Sequence, residues 1–462
     1  MNNTIDGMRY STVNPANGEV IREFAPLTDE ESRLILDCAQ SAFESWRLVP
    51  VQDRVRILER IADLLEERGE TLAHQICLEM GKLIAQARQE VELAAGIFRY
   101  YAACGESILA DEEVGVAGYS RVVVRREALG VVLAVEPWNG PIYQALRAAA
   151  PNLMLGNAVV VKPSEITAGS TALLDAVLRD AGLPDGAFQT ALLSRDQVSR
   201  YLADDRVRAV TLTGSDRAGS VIGEQAGRAI KPVVLELGGS DAYIVLDSAD
   251  TDRAVASLNA CRMFINGQVC VLPKRLIVAE SVAERVIEPV VAHFAQQIIG
   301  DPFDPRTTLG PLSSVGAVDN LQALYDDAVA NGATVLLAGG RIEGPGAYFK
   351  PAVLTDITPN MRLYAEEAFG PLLTVYRVPD VEAAIRLAND SPYGLGATVF
   401  TADPDEADMV SRRLDVGSVG INEWVCAPVE APFGGTKRSG VGRELGKSGM
   451  DQFANVKTYA FA

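Results

Sequence analysis

The stretch VRAVTLTGSDRAGSVIGEQAGRAIKPVVLELGG, Val207 to Gly239, reads as strand, helix, strand. A β-branched run ends at Thr213, and the turn Gly214–Ser215 opens a helical segment. Pro232 stops that segment and a second apolar run carries the chain to Glu236. A crossover of this length joins parallel strands. Runs that are apolar throughout, rather than alternating, are buried on both faces. The same rhythm extends upstream. GVVLAVEP (130–137), AVVVKPS (158–164) and FQTALL (188–193) read as strands. Between and after them PIYQALRAAAP (141–151), TAGSTALLDAVLRDAGL (167–183) and RDQVSRYLADD (195–205) read as helices. The fold class is therefore α/β with a parallel sheet covered on both sides. Such sheets bind ligands beyond the carboxyl ends of their strands, where Asn139, Lys162, Gly214 and Glu236 all fall.

A second alternating block starts near residue 240 with AYIVL, the helix TDRAVASLNACRMF, the strand RLIVAE and the helix SVAERVIEPVVAHFAQQI. The first hundred residues read mostly as helix. Thr28 and Glu31 form a T-x-x-E capping box ahead of an amphipathic run, and SRVVVRREALG (120–130) reads as strand. At 462 residues the chain needs two or three domains. A formal charge of −19 repels nucleic acid and anionic membranes. No run reaches the ~18 apolar residues of a membrane span, and the N-terminus has no secretory pattern, so a cytoplasmic protein is expected. Six cysteines lie far apart without a CxxC pair, which argues against a disulfide framework. Cys38, Cys77, Cys104 and Cys261 read as small buried hydrophobes. The two histidines, His74 and His293, sit in helical stretches without metal-ligand spacing, so no metal site is expected.

The candidate chemistry begins with Cys270 in FINGQVCVLPKR, whose NGQ flank suggests a tightly turned loop. Taken alone, it reads either as a nucleophile or as packing. Glu236, before Gly238 and Gly239, reads either as a general base or as a paired strand-end carboxylate. The G-x-G-x-x-G fingerprint is absent, yet Gly214 and Ser215 open a helix whose amides could face a pyrophosphate. Lys162 and Glu165 offer the donor and acceptor that ribose hydroxyls need, and Glu165 would disfavour an extra phosphate.

The order of PWNGP (137–141), KPSE (162–165), LELGGSD (235–241), NGQVC (266–270), EEAFGP (366–371) and PFGGTKRSGVGRE (432–444) resembles the aldehyde dehydrogenase superfamily along essentially the whole chain. The resemblance implies a Rossmann-like NAD(P)-binding domain (1–109 and 129–238) and an α/β catalytic domain (239–436). It also implies a β oligomerisation arm and tail (110–128 and 437–462), with assembly as a homodimer or homotetramer. It implies Cys270 as nucleophile, Glu236 as base and Asn139 as oxyanion donor. NAD, with NADP as the alternative, would contact Trp138, Lys162, Ser164, Glu165, Gly214, Ser215, Glu367 and Phe369. The partner would be a small-molecule aldehyde.

Arg147, eight residues after Asn139, looks like the carboxylate-binding arginine of bacterial succinate-semialdehyde dehydrogenases, so succinate semialdehyde is the first expectation. An uncharged aliphatic or aromatic aldehyde is the second. From a different class, a non-redox cysteine hydrolase or acyltransferase is set against the two ill-placed histidines, and a CoA-acylating dehydrogenase against the presence of Glu236. Four positions depart from the family pattern: Gly140 where an aromatic is usual, Ala242 for proline, and Ile265 with Asn266 shifted by one. Phe264 stands where some relatives carry a second arginine. Glu423 and Glu430 would repel an anion if they faced the tunnel.

Overall fold

In the computed structural model, which describes residues 10–425 and 427–462, the unit from Val207 forms as strand Val207–Thr213, helix Asp216–Arg228 and strand Val233–Glu236. Ser215 caps the helix, its hydroxyl accepting from the Ala218 N–H at 3.3 Å. These strands belong to a six-stranded sheet ordered Gly440–Val441, Val233–Glu236, Val207–Thr213, Val131–Val135, Ala158–Lys162, Phe188–Thr190. All neighbours are parallel except the first pair. Successive residues face opposite cores: Val132, Ala134, Val159 and Val161 pack on one side, Val131, Leu133, Ala158 and Val160 on the other. That double burial accounts for the unbroken apolar runs.

A seven-stranded sheet follows, ordered Thr334–Leu337, Ala352–Thr355, Leu372–Val378, Pro273–Ala279, Asp241–Val245, Gly396–Phe400, Ser418–Ile421. Only its first pair is antiparallel. It too separates two cores, with Ile244 and Ile277 facing one and Tyr243, Val245 and Leu276 the other. The fold is thus α/β. Four helices, Asp29–Trp46, Val51–Glu67, Gly69–Met80 and Ile84–Leu109, precede the first sheet. The Thr28/Glu31 capping box is formed. They are themselves preceded by a hairpin, Tyr10–Val13 with Val20–Phe24, which the mostly helical reading of this region overlooked. Its turn is closed by Asn14, whose side chain accepts from the Ala16 N–H at 2.9 Å.

Arg121–Ala128 pairs antiparallel with Ala454–Phe461 along its whole length, and Glu112–Glu113 adds a third strand. Cys77 and Cys261 are buried as expected, but Cys38 is exposed and Cys104 only half-buried. The general tendency of free cysteine to be buried fails at Cys38, which lies outside the buried positions of its helix, Leu36 and Ala39 among them. Cys426 lies outside the described residues.

Candidate active site

Cys270 stands between the helix Thr251–Arg262 and the strand Pro273–Ala279. The turn leading to it holds three successive left-handed residues: Ile265 at φ +50°, Asn266 at φ +56° and Gly267 at φ +76°. For a β-branched residue this costs of order 1–3 kcal/mol and persists only where the surroundings over-determine it. The Asn266 amide donates to the carbonyls of Gly81 at 3.0 Å and Pro311 at 2.8 Å, and its oxygen accepts from Gly310 N–H at 2.7 Å. Arg262 donates to the carbonyls of Gly370 and Leu372 at 2.6 and 2.5 Å. Asn266, read from sequence only as a displaced asparagine, is therefore a staple of the loop that carries Cys270.

Cys270 is half-buried and lines a cavity of about 460 Å³ together with Asn139, Gly140, Tyr143, Gln144, Arg147, Phe264, Ile265, Trp424 and Phe433. Burial pushes its thiol up to about 12; the Lys274 and Arg147 cations oppose this, while Glu367 and Glu236 add to it. The Asn139 amide donates to the Gln268 carbonyl at 3.0 Å. A primary amide carries two N–H donors, so one remains for a ligand oxygen. Two buried residues position this donor. Lys82 donates to the Asn139 carbonyl at 2.7 Å and pairs with Glu90. Glu90 accepts from the Ile142 and Tyr143 N–H groups at 2.8 and 3.0 Å, satisfying amides that have no partner within the first turn of the helix Pro141–Leu155.

Arg147 lies on that helix, 4% exposed. Its guanidinium contacts Glu444 at 2.5 Å and Thr213 Oγ1 at 3.2 Å, while its Nε has no partner. Behind this pair sits Glu236, 1% exposed, with both carboxylate oxygens unpartnered. Burial and the neighbouring Glu444 raise it well above the usual carboxylate range, with Arg147 and Arg443 opposing. Glu136 is raised in the same way. Gly434 lies so close to Glu236 that a Cβ there would come within 2.5 Å of its Oε1. Glu236 is not among the residues lining the Cys270 cavity. Its charge is felt at the thiol, but its carboxylate lies behind the cavity wall.

Lys162 and Glu165 form an ion pair of 2.7 Å just past the strand Ala158–Lys162, with Ser164 buried between them. Gly214 and Ser215 lie at the start of the helix Asp216–Arg228. Asp216, Glu367, Tyr393 and Arg438 line a second cavity beside it. The Trp138 and Phe369 rings meet edge to face at 5.6 Å. A helix N-terminus, a carboxylate–ammonium pair and an open crevice fit a dinucleotide: amides for the pyrophosphate, Glu165 and Glu367 as acceptors for ribose hydroxyls.

Neither Glu423 nor Glu430 lines the Cys270 cavity; Glu423 accepts from the Ser257 hydroxyl at 3.1 Å. The condition under which they would repel a substrate anion, that they face the tunnel, is thus not met at this cavity. His74 stacks on Phe303 and His293 contacts Gln297, so neither supplies a base to Cys270. Among the described residues no cluster of three His, Cys, Asp or Glu could hold a metal, and no helix is long and apolar enough to cross a membrane. Lys82, Glu90, Gln268, Lys274 and Glu444 were not singled out from sequence. A lone lysine directly after the helix-ending Gly81 was the available signal for the first.

Residues 3–459 match the model of the aldehyde dehydrogenase family. A succinate-semialdehyde dehydrogenase [NADP(+)] of Deinococcus radiodurans is 45% identical over 97% of this chain and 94% of its own. One of Mycobacterium tuberculosis is 42% identical over 98% and 99%. Among solved structures, succinic semialdehyde dehydrogenase of Streptococcus pyogenes, in complex with NADP+, superposes with a TM-score of 0.95 at 36% identity, covering 97% of this chain and 99% of that one. With these matches running the length of the chain, and a cysteine and an amide donor brought to one cavity, the chain belongs to the aldehyde dehydrogenase family and is an NAD(P)-dependent oxidoreductase.

Proposed function

We propose that the chain oxidises succinate semialdehyde to succinate through a thioester on Cys270. The supporting observation is Arg147: a buried guanidinium in the wall of the cavity that holds Cys270 and Asn139, with an unpartnered Nε. Arg presents a planar fork of donors suited to a carboxylate, and the names of the relatives point to the same substrate.

The Cys270 thiolate adds to the aldehyde carbon, and the new oxyanion is held by the free Asn139 N–H and the Cys270 backbone N–H. Bound nicotinamide supplies the acceptor for the hydride that leaves that carbon as the C=O bond re-forms. Glu236 turns from its place against Gly434, takes a proton from water, and the water oxygen adds to the thioester. The C–S bond breaks and Cys270 is regenerated as thiolate. The relatives' names support NADP, whereas the Lys162–Glu165 pair favours a ribose with free hydroxyls; we read both dinucleotides as substrates, with Glu165 setting the discrimination.

The residues 1–109 and 129–238 form the dinucleotide-binding domain in this reading, 239–436 the catalytic domain, and 110–128 with 437–462 the arm and tail. Exposed Val114, Val116, Val456 and Phe461 on the arm support assembly as a homodimer or homotetramer. Free cysteines support a cytoplasmic setting. The test is a panel of aldehydes assayed with NAD and NADP in parallel, with and without CoA. Oxidation of succinate semialdehyde well above that of uncharged aldehydes, without CoA, is expected. A preference for uncharged aldehydes would overturn the substrate, and a requirement for CoA the hydrolytic step.

A further inference from the structure

Lys274 is 2% exposed, four residues beyond the nucleophile. Its ammonium donates to the carbonyls of Val269, at 2.8 Å, and Cys270, and contacts Glu367 Oε1 at 3.0 Å. An ammonium has three N–H donors, and these contacts use all of them. Glu367 is held in turn by the Gly239 N–H at 3.1 Å, and it also lines the second cavity, beside Asp216 and Arg438. One half-buried carboxylate thus faces the cation next to the nucleophile and the crevice at the start of the helix Asp216–Arg228.

We propose that Lys274 is a positioning residue: it pins the Cys270 peptide, supplies the cation that stabilises the thiolate, and has that charge tempered by Glu367 until the carboxylate is drawn toward the neighbouring crevice. The inference rests on Cys270 as the nucleophile. The other charged groups facing the thiol do not substitute for Lys274. Arg147 shares its charge with Glu444, Glu236 is a carboxylate, and Lys82 in the cavity wall is neutralised by Glu90. Burial raises the Cys270 thiol; Lys274 is the foremost group opposing that rise, and Glu367 works against it. Without Lys274, the thiol would keep only the Arg147 charge, which Glu444 shares, against burial and two carboxylates.

The test is the pH profile of Cys270 alkylation by iodoacetamide, followed by mass spectrometry on protein without dinucleotide or aldehyde. The thiolate displaces iodide, so the rate follows thiolate formation. An opposite charge nearby shifts a pKa by about 1–3 units. Lys274→Met should therefore slow alkylation near neutral pH about tenfold or more and move the midpoint up, and Lys274→Arg should restore most of the rate. Glu367→Gln, which keeps the lysine and its two carbonyl acceptors, should do the opposite: faster alkylation and a lower midpoint. A merely structural role would slow all the variants together. An unchanged profile in Lys274→Met, or slower alkylation in Glu367→Gln, overturns the proposal; the second variant keeps the test open if the first fails to fold. Because no aldehyde enters the assay, failure here leaves the substrate reading standing.

Discussion

Replacing Arg147 by Met separates recognition of the substrate carboxylate from the chemistry at Cys270. Met keeps much of the side-chain volume and removes the charge. A hydrogen bond to a charged group contributes about 1.5–3 kcal/mol, and 1.4 kcal/mol is tenfold in affinity. Arg147 already shares its charge with Glu444, so the lower part of that range applies. The expected rise in KM for succinate semialdehyde is about 10- to 30-fold. The assay compares kcat/KM for succinate semialdehyde with that for butanal, which has the same chain length and no carboxylate. Taking the ratio cancels effects common to both, including the cost of leaving Glu444 unpaired. Glu444→Gln should shift the ratio the other way, lowering KM for the semialdehyde a few-fold, because it removes the carboxylate that competes for the guanidinium. The double variant should show no preference for the carboxylated substrate. If Arg147→Met alters both substrates equally, Arg147 does not bind the carboxylate and serves only to hold Glu444.

Glu236→Gln should leave the first, acylating turnover intact as a burst of reduced nicotinamide while steady-state turnover falls about 10²–10⁴-fold. Because the base must be ionised and is raised by burial and Glu444, wild-type turnover should climb with pH above the ordinary carboxylate range, and Glu444→Gln should move that rise to lower pH. Asp241, buried and pushed up to about 7, favours folding while protonated; that contribution is present below the unfolded carboxyl value of about 3.9 and is lost as pH rises to about 7. Asp241→Asn should therefore gain of order 4 kcal/mol on the wild type between pH 4 and pH 7, read from denaturant unfolding, and equal pH dependence of the two proteins would refute the account. Lys82→Met, which strands buried Glu90, should cost about 3–5 kcal/mol of stability and lower kcat, whereas adding Glu90→Leu should recover much of the stability but not kcat.

Strand–helix alternation was readable because the inner strands of both sheets are covered on two faces, so strands such as Val131–Val135, Ala158–Lys162 and Asp241–Val245 are buried along nearly their whole length. The Tyr10–Val13 and Val20–Phe24 hairpin escaped because it is short and its second strand is largely exposed, with no apolar pattern to mark it. At the site, Cys270, Glu236 and Asn139 stood out through the order of motifs along the chain rather than through any one of them alone, and the structure brings Cys270 and Asn139 to one cavity. Lys82, Glu90 and Glu444 did not stand out, because their significance lies in partners 57, 52 and 297 positions away in the chain, namely Asn139, Ile142 and Arg147. Asn266 was visible but misjudged: its left-handed backbone and its grip on Gly81 and Pro311 depend on elements that no local window contains.

The segment from Phe433 to Glu444 has a mechanical consequence. It pairs Lys437 with Tyr393, which leads into the strand Gly396–Phe400 of the larger sheet, and Gly440 with Glu236 at the edge of the smaller one. A Cβ on Gly440 would lie 1.9 Å from the Leu235 carbonyl, so the seam admits no side chain there. One short strap thus ties the two sheets together beside Glu236. Moving the two sheets apart would break the ladder bonds at Glu236, so any opening between them is felt directly at that carboxylate.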